Sequence, residues 1–247
     1  MQGEKEFGLS KRGYELSKDP HFVTAVMKVW SDLYHPQNNP DGYINLAVAE
    51  NVLMANEMCE KIDQVNSTNK LQPNNLNYTD FAGDYVFRQS LAHLFQKYIF
   101  DTDQSVDAKD FIAGNGAGTM LEMLGTALCD AGEAVLVPSP MYLALPNDFG
   151  KRFGTKVYPV PLPYDQASNT FALSVDVVNQ AYQKAKTEGV TVRAFLLLNP
   201  NNPTGEMYPA KLVEELIEWC RSQQIHFISD EVYALSVFEG EDKFVSA

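Results

Sequence analysis

The chain has 247 residues, 45% of them apolar and 21% charged, a composition that suits a packed globular protein and excludes a disordered or low-complexity polymer. Nineteen Lys and Arg against thirty-two Asp and Glu leave a formal charge of −13, and a field of that sign repels phosphate polymers, so nucleic acid is not an expected partner. Three scattered cysteines, Cys59, Cys129 and Cys220, a charged start without an apolar run, and no stretch of membrane-spanning length together point to a soluble protein of a reducing compartment, with the cytosol as the default and no membrane partner.

In chain order, residues 33–77 are rich in Asn, Pro and Asp, with short apolar pieces such as Tyr43-Ile44-Asn45-Leu46 and a helical pattern over 53–65. Residues 1–76 read as an N-terminal arm laid on something larger, and 77–247 as the main body. From there the elements alternate: a helix over 85–98, a short strand at 111–113, a helix over 119–129 and strands at 134–137 and 156–160. A helix over 175–187, a strand at 194–198, a helix over 209–223 and a strand at 225–229 follow. Ala194-Phe195-Leu196-Leu197-Leu198 is apolar on both faces, as expected where helices cover both sides of a parallel sheet, so the fold class is α/β. The run Tyr85, Phe87, Leu91, Leu94 and Phe95 is expected to be a core stripe, and Glu214 with Glu218 a solvated face.

In open α/β sheets ligands lie beyond the carboxyl ends of the strands, and four loops there carry chemistry. After 111–113 comes Gly114-Asn115-Gly116-Ala117-Gly118-Thr119, small residues that let the backbone approach an anion at the positive end of the following helix. A glycine-rich turn selected for close packing fits this stretch equally. The pattern is not that of a dinucleotide fold, which places its third glycine one residue later and an acidic residue where this chain has Val135-Leu136-Val137-Pro138. Asn199-Pro200-Asn201-Asn202-Pro203-Thr204-Gly205 follows an apolar strand; its prolines stiffen a frame of Asn donors well beyond the needs of a simple turn. Asp230-Glu231-Val232-Tyr233 ends the last strand. A carboxylate there needs a fixed partner, although a helix cap with a core tyrosine would also satisfy the pattern. In Val137-Pro138-Ser139-Pro140-Met141-Tyr142, Tyr142 either covers a flat ring or packs in the core. The four histidines show no metal-ligand spacing with each other or with the cysteines, and no Gly-x-Ser-x-Gly elbow is present.

The order of these loops resembles the fold-type I pyridoxal-phosphate enzymes of the class I/II aminotransferase superfamily. Within it, Leu46-Ala47-Val48-Ala49-Glu50-Asn51, Tyr78-Thr79-Asp80-Phe81-Ala82-Gly83 and Glu231-Val232-Tyr233-Ala234-Leu235-Ser236-Val237-Phe238 are similar to the subgroup of 1-aminocyclopropane-1-carboxylate synthases and their relatives. The resemblance implies the large cofactor-binding domain of that fold, with the N-terminal arm and part of the small domain before it, and pyridoxal 5'-phosphate as cofactor. By the same resemblance Asp230 pairs with the protonated pyridine nitrogen, and Asn202 and Tyr233 hold the phenolic oxygen. Tyr142 stacks on the ring, the amides of Ala117 and Gly118 with the Thr119 hydroxyl hold the phosphate, and Glu50 is a substrate-pocket acid. The resemblance makes Asp230 and Tyr233 the residues of catalysis.

Phe81 stands where the synthases carry a tyrosine that reaches the partner subunit. Glu50 favours a lyase acting on S-adenosylmethionine and Phe81 favours transamination, which leads. In the family, the Schiff-base lysine follows Asp-x-x-Tyr by several tens of residues in a Ser-x-x-Lys segment, with a carboxylate-binding arginine later still. Lys243 follows Tyr233 too closely to be that lysine. The expectation is therefore most of the cofactor domain of a larger enzyme, inactive by itself, acting on a small amino-acid substrate as a homodimer with shared sites. The third reading is a catalytically silent cofactor-binding module.

Overall fold

The computed structural model describes residues 8–18, 21–46, 48–100, 102–238 and 243–247. The chain divides into two compact units, Met1–Tyr78 and Thr79–Ala247. The first holds helices α1 (Lys11–Leu16), α2 (His21–Trp30) and α3 (Ala55–Thr68), with a 3-10 turn at Pro73–Leu76. Ser10 caps α1 by accepting from the Gly13 N–H, satisfying a donor that has no partner within the helix.

The second unit begins with α4 (Tyr85–Tyr98), capped by the Asp84 carboxylate accepting from Phe87 N–H at 3.0 Å. It continues through α5 (Ala117–Leu128), β1 (Ala134–Ser139), α6 (Leu145–Gly150) and β2 (Lys156–Pro161). A small antiparallel hairpin follows, β3 (Tyr164–Asp165) with β4 (Thr170–Phe171), then α7 (Val175–Thr187), β5 (Val192–Leu198), α8 (Ala210–Gln223) and β6 (His226–Asp230). The large sheet has the order β2-β1-β5-β6, and every neighbouring pair is parallel.

Successive strand residues face opposite sides of a sheet, and that alternation builds two cores. Leu136, Phe195 and Leu197 join Val178, Tyr182, Val213, Leu216 and Trp219 of α7 and α8. Val135, Val137, Ala194, Leu196 and Leu198 join Leu121 of α5 with Leu145 and Phe149 of α6. Helices therefore cover both faces, which is why Ala194–Leu198 of β5 reads as an unbroken apolar run.

Two expectations need correction. Residues 111–113 form no strand: Ile112 is exposed, and the Ala113 N–H donates to the Ala82 carbonyl at 2.8 Å rather than to a sheet neighbour. The proposed stripe on α4 is not the buried face either, since Tyr85, Phe87 and Leu94 are exposed while Arg88 and Ala92 are buried. Tyr85 and Phe87 are two residues apart and cannot share one helical face; the inward row runs through 88, 92 and 95. Glu214 and Glu218 are solvent-exposed as expected.

Candidate active site

The parallel sheet brings the carboxyl ends of β1, β5 and β6 to one side, and three of the four loops emerge there; the fourth, Gly114–Thr119, follows no strand and leads into α5. The Gly114–Thr119 stretch leads into α5 with Gly116 as its N-cap, at φ 82°, and no side chain caps the helix. A left-handed backbone at this position suits only glycine. The first-turn amides of Ala117, Gly118 and Thr119 precede the earliest donor of the helical ladder, and Ala117 and Gly118 are exposed. The Thr119 hydroxyl donates to the Asn115 carbonyl at 3.0 Å, closing the loop on itself.

Asp230 terminates β6. Its carbonyl accepts from the Asn199 N–H at 3.0 Å, which ties the end of β6 to the head of the Asn-Pro loop. Asn199 is buried, and its side-chain oxygen accepts from the Tyr208 N–H at 3.1 Å. Asn201 is buried as well and accepts from both the N–H and the hydroxyl of Thr204. These two side chains brace the loop from inside, and Asn202 between them and Pro203 remains half-buried. Glu206 adds a strut, accepting from the Phe171 N–H at 2.7 Å and from the Thr204 hydroxyl.

The Asp230 carboxylate accepts from the Val232 N–H at 3.3 Å. Burial pushes its pKa up, the Val232 hydrogen bond opposes this, and the neighbouring Glu231 adds to the rise. Among the described residues no Lys, Arg or His forms an ion pair with it. A desolvated carboxylate without a cation is costly, and a bound cation would relieve that cost. Tyr142 is 40% exposed, at the mouth rather than in the core. Its hydroxyl pKa is raised by partial burial, then by the nearby Asp148, Tyr233 and Asp230, so these groups lie near one another.

Asp148, on α6, was not singled out by sequence reading. It lies beneath the start of α5: a Cβ built on Gly118 would stand 3.7 Å from its carboxyl carbon. Burial pushes its pKa up, with Asp230 and Glu122 adding to the rise, while Glu122 pairs with Arg152 at 2.9 Å. Nothing in Leu145-Pro146-Asn147-Asp148-Phe149 sets this acid apart in the sequence. Glu50 belongs to the first unit, where it is exposed and its N–H donates to the Val48 carbonyl. The structure thus gathers the loops bearing Ala117, Gly118, Thr119, Tyr142, Asn202, Asp230 and Tyr233 within the second unit, and Glu50 lies outside it.

Residues 41–247 match the family model for aminotransferase class I and II. The chain belongs to that family. A rice protein named 1-aminocyclopropane-1-carboxylate synthase 6 is 32% identical over 252 residues, covering 96% of this chain and 46% of that protein. A mouse protein named "Probable inactive 1-aminocyclopropane-1-carboxylate synthase-like protein 2" is 31% identical over 244 residues, covering 96% of this chain and 41% of its own length. The family fold is equally evident in an archaeal alanine:glyoxylate aminotransferase, superposed with a TM-score of 0.76 at 21% identity over 98% of this chain and 56% of that one. The chain thus spans less than half the length of these two curated relatives.

The family implies pyridoxal 5'-phosphate, and the site's chemistry fits it. Uncapped amides at a glycine N-cap suit the phosphate, and a desolvated carboxylate lacking a cation suits the ring nitrogen. Exposed Tyr142 at the same mouth suits the ring face.

Proposed function

We propose that the protein carrying this chain is a pyridoxal-phosphate-dependent enzyme of amino-acid metabolism, an aminotransferase of the aminocyclopropane-carboxylate-synthase-like subgroup. In this reading the second unit supplies most of its cofactor-binding domain. The carrying observation is Asp230, a half-buried carboxylate at the end of β6 with no ion-pair partner among the described residues.

In this reading Asp230 holds a proton on the ring nitrogen, and its own desolvation makes that charge pair stronger than it would be in water. When bound, the cationic ring supplies an electron sink for breaking a bond at the substrate's Cα. Ala117 and Gly118 amides bind the phosphate through the dipole of α5. Tyr142 covers one ring face and excludes water from it. Asn202, on the loop braced by Asn199 and Asn201, and Tyr233, three residues past Asp230, orient the phenolic oxygen. Glu50 serves as an acid of the substrate pocket, and the functional form is a cytosolic homodimer sharing its sites.

Borohydride reduction of the intact protein tests the cofactor: a covalent pyridoxyl adduct by mass spectrometry is expected. Retained cofactor without an adduct supports the silent module instead, a reading favoured by the mouse relative's name. Parallel assays then separate the chemistries. Amino transfer to a 2-oxo acid is the expected outcome, and release of methylthioadenosine from S-adenosylmethionine would establish the lyase, which Glu50 and the rice relative favour.

A further inference from the structure

Among the described residues Arg88 is the one charged side chain in the buried class, at 3% exposure. It projects from the first turn of α4 into a cage of oxygens. Its Nε donates to the Gly83 carbonyl at 3.0 Å and its Nη1 to the Ala108 and Phe111 carbonyls at 3.2 and 3.4 Å. Its Nη2 pairs with the Asp80 carboxylate, whose other oxygen accepts from the Ala82 N–H at 3.0 Å.

A hydrophobic side chain would fill such a space at no loss of stability in many proteins, so a buried ion pair by itself is weak evidence for a stabilising role. A rigid planar fork does something an apolar group does not: it fixes the separation and direction of the groups it binds. That property is used here, because residues 111–113 have no strand ladder to hold them. Their only backbone tie to the 80–83 loop is the Ala113 N–H on the Ala82 carbonyl, 2.8 Å. Gly83, at φ 105°, allows this approach: a Cβ there would come within 2.7 Å of the Ala113 Cβ. Arg88 replaces the missing ladder by gripping both sides, Asp80 and Gly83 on one, Ala108 and Phe111 on the other. The next residue after this clamp is Gly114, which opens the loop to α5.

We propose that Arg88 is a positioning residue that sets where the chain enters the Gly114–Thr119 loop, and so aims the Ala117 and Gly118 amides at the cofactor's phosphate. It touches no group assigned to the cofactor and acts through the backbone. The inference rests on the pyridoxal-phosphate reading above and adds to it a residue that the family resemblance did not supply.

The test compares affinities of the intact protein for pyridoxal 5'-phosphate and for pyridoxal, which lacks the phosphate, by fluorescence titration, with thermal melting alongside. The ratio isolates the phosphate contacts. Wild type is expected to prefer the phosphate ester strongly. R88Q should lose tenfold or more of that preference while pyridoxal affinity stays level. R88K should not restore it, because one ammonium cannot span four acceptors, and D80N should show a smaller loss in the same direction. If R88Q does not fold, R88K and D80N decide. An unchanged ratio in the folded variants, or a parallel fall of both affinities, overturns the role of Arg88 and leaves the cofactor reading standing. A wild-type protein without preference for the phosphate ester overturns both.

Discussion

Asp230 and Asp148 lie near one another, and among the described residues neither has an ion-pair partner; each side chain has a measurable consequence. Replacing Asp230 by Ala should weaken pyridoxal-phosphate binding by about 3 kcal/mol, roughly 100-fold, the lower end of what breaking a buried charge pair costs; equilibrium dialysis reads this directly, and undiminished affinity would remove Asp230 from the site. For Asp148 the prediction concerns pH. Its pKa is raised in the folded protein by burial, Asp230 and Glu122, so the folded state holds the proton more tightly than the unfolded chain does. Its stabilising contribution is therefore complete below the ordinary aspartate pKa of 3.8 and is lost as pH rises through the higher folded value. Near neutral pH the ionised carboxylate is a cost, and Asp148→Asn should raise the melting temperature of the cofactor-free protein at pH 8, with the gain shrinking toward pH 4.5. A gain independent of pH would rule out an electrostatic origin. Asp230 could be found in the sequence because it closes an apolar run, where a charge stands out. Asp148 and Arg88 could not, since one sits in a six-residue helix and the other amid exposed aromatics, and only three-dimensional packing shows what surrounds them.

At the scale of elements, periodicity located the four sheet strands and helices α4, α5, α7 and α8 to within a few residues, because their burial is decided by local pattern, and missed the six-residue α6. It failed where tertiary contacts override pattern. Residues 111–113 look like a strand but are held by a side chain, and the β3–β4 hairpin is too short to announce itself. Helix α8 carries a testable local cost. Its C-cap, Gln224, is left-handed at φ 57°, a conformation that costs a non-glycine residue about 1–2 kcal/mol. Gln224→Gly should therefore stabilise the protein by about 1 kcal/mol, a rise of roughly 2–4 °C in melting temperature, measured by calorimetry. A lower melting temperature would mean that Gln224 makes compensating contacts.

For the whole molecule, no described helix is long and apolar enough to cross a membrane. The second unit exposes Phe81 and Leu143 almost fully, together with Tyr85 and Val86, apolar area that an association between subunits would cover. The proposed homodimer predicts twice the protomer mass for the intact protein in sedimentation equilibrium, including at high salt, where the self-repulsion of the −13 chains is screened. A monomer under both conditions would refute the shared-site reading. Sequence could not reach this level, because which apolar side chains stay outside depends on the completed packing. The strand order has its own consequence for how the protein is born. β1 and β2 are made first and pair with each other, yet the far edge of β1 belongs to β5, which begins only at Val192. A growing chain emerging at roughly 5–20 residues per second therefore leaves the edge of β1, apolar from Ala134 to Pro138, without its partner strand for some seconds. That is the interval in which a ribosome-associated chaperone would have most to shield.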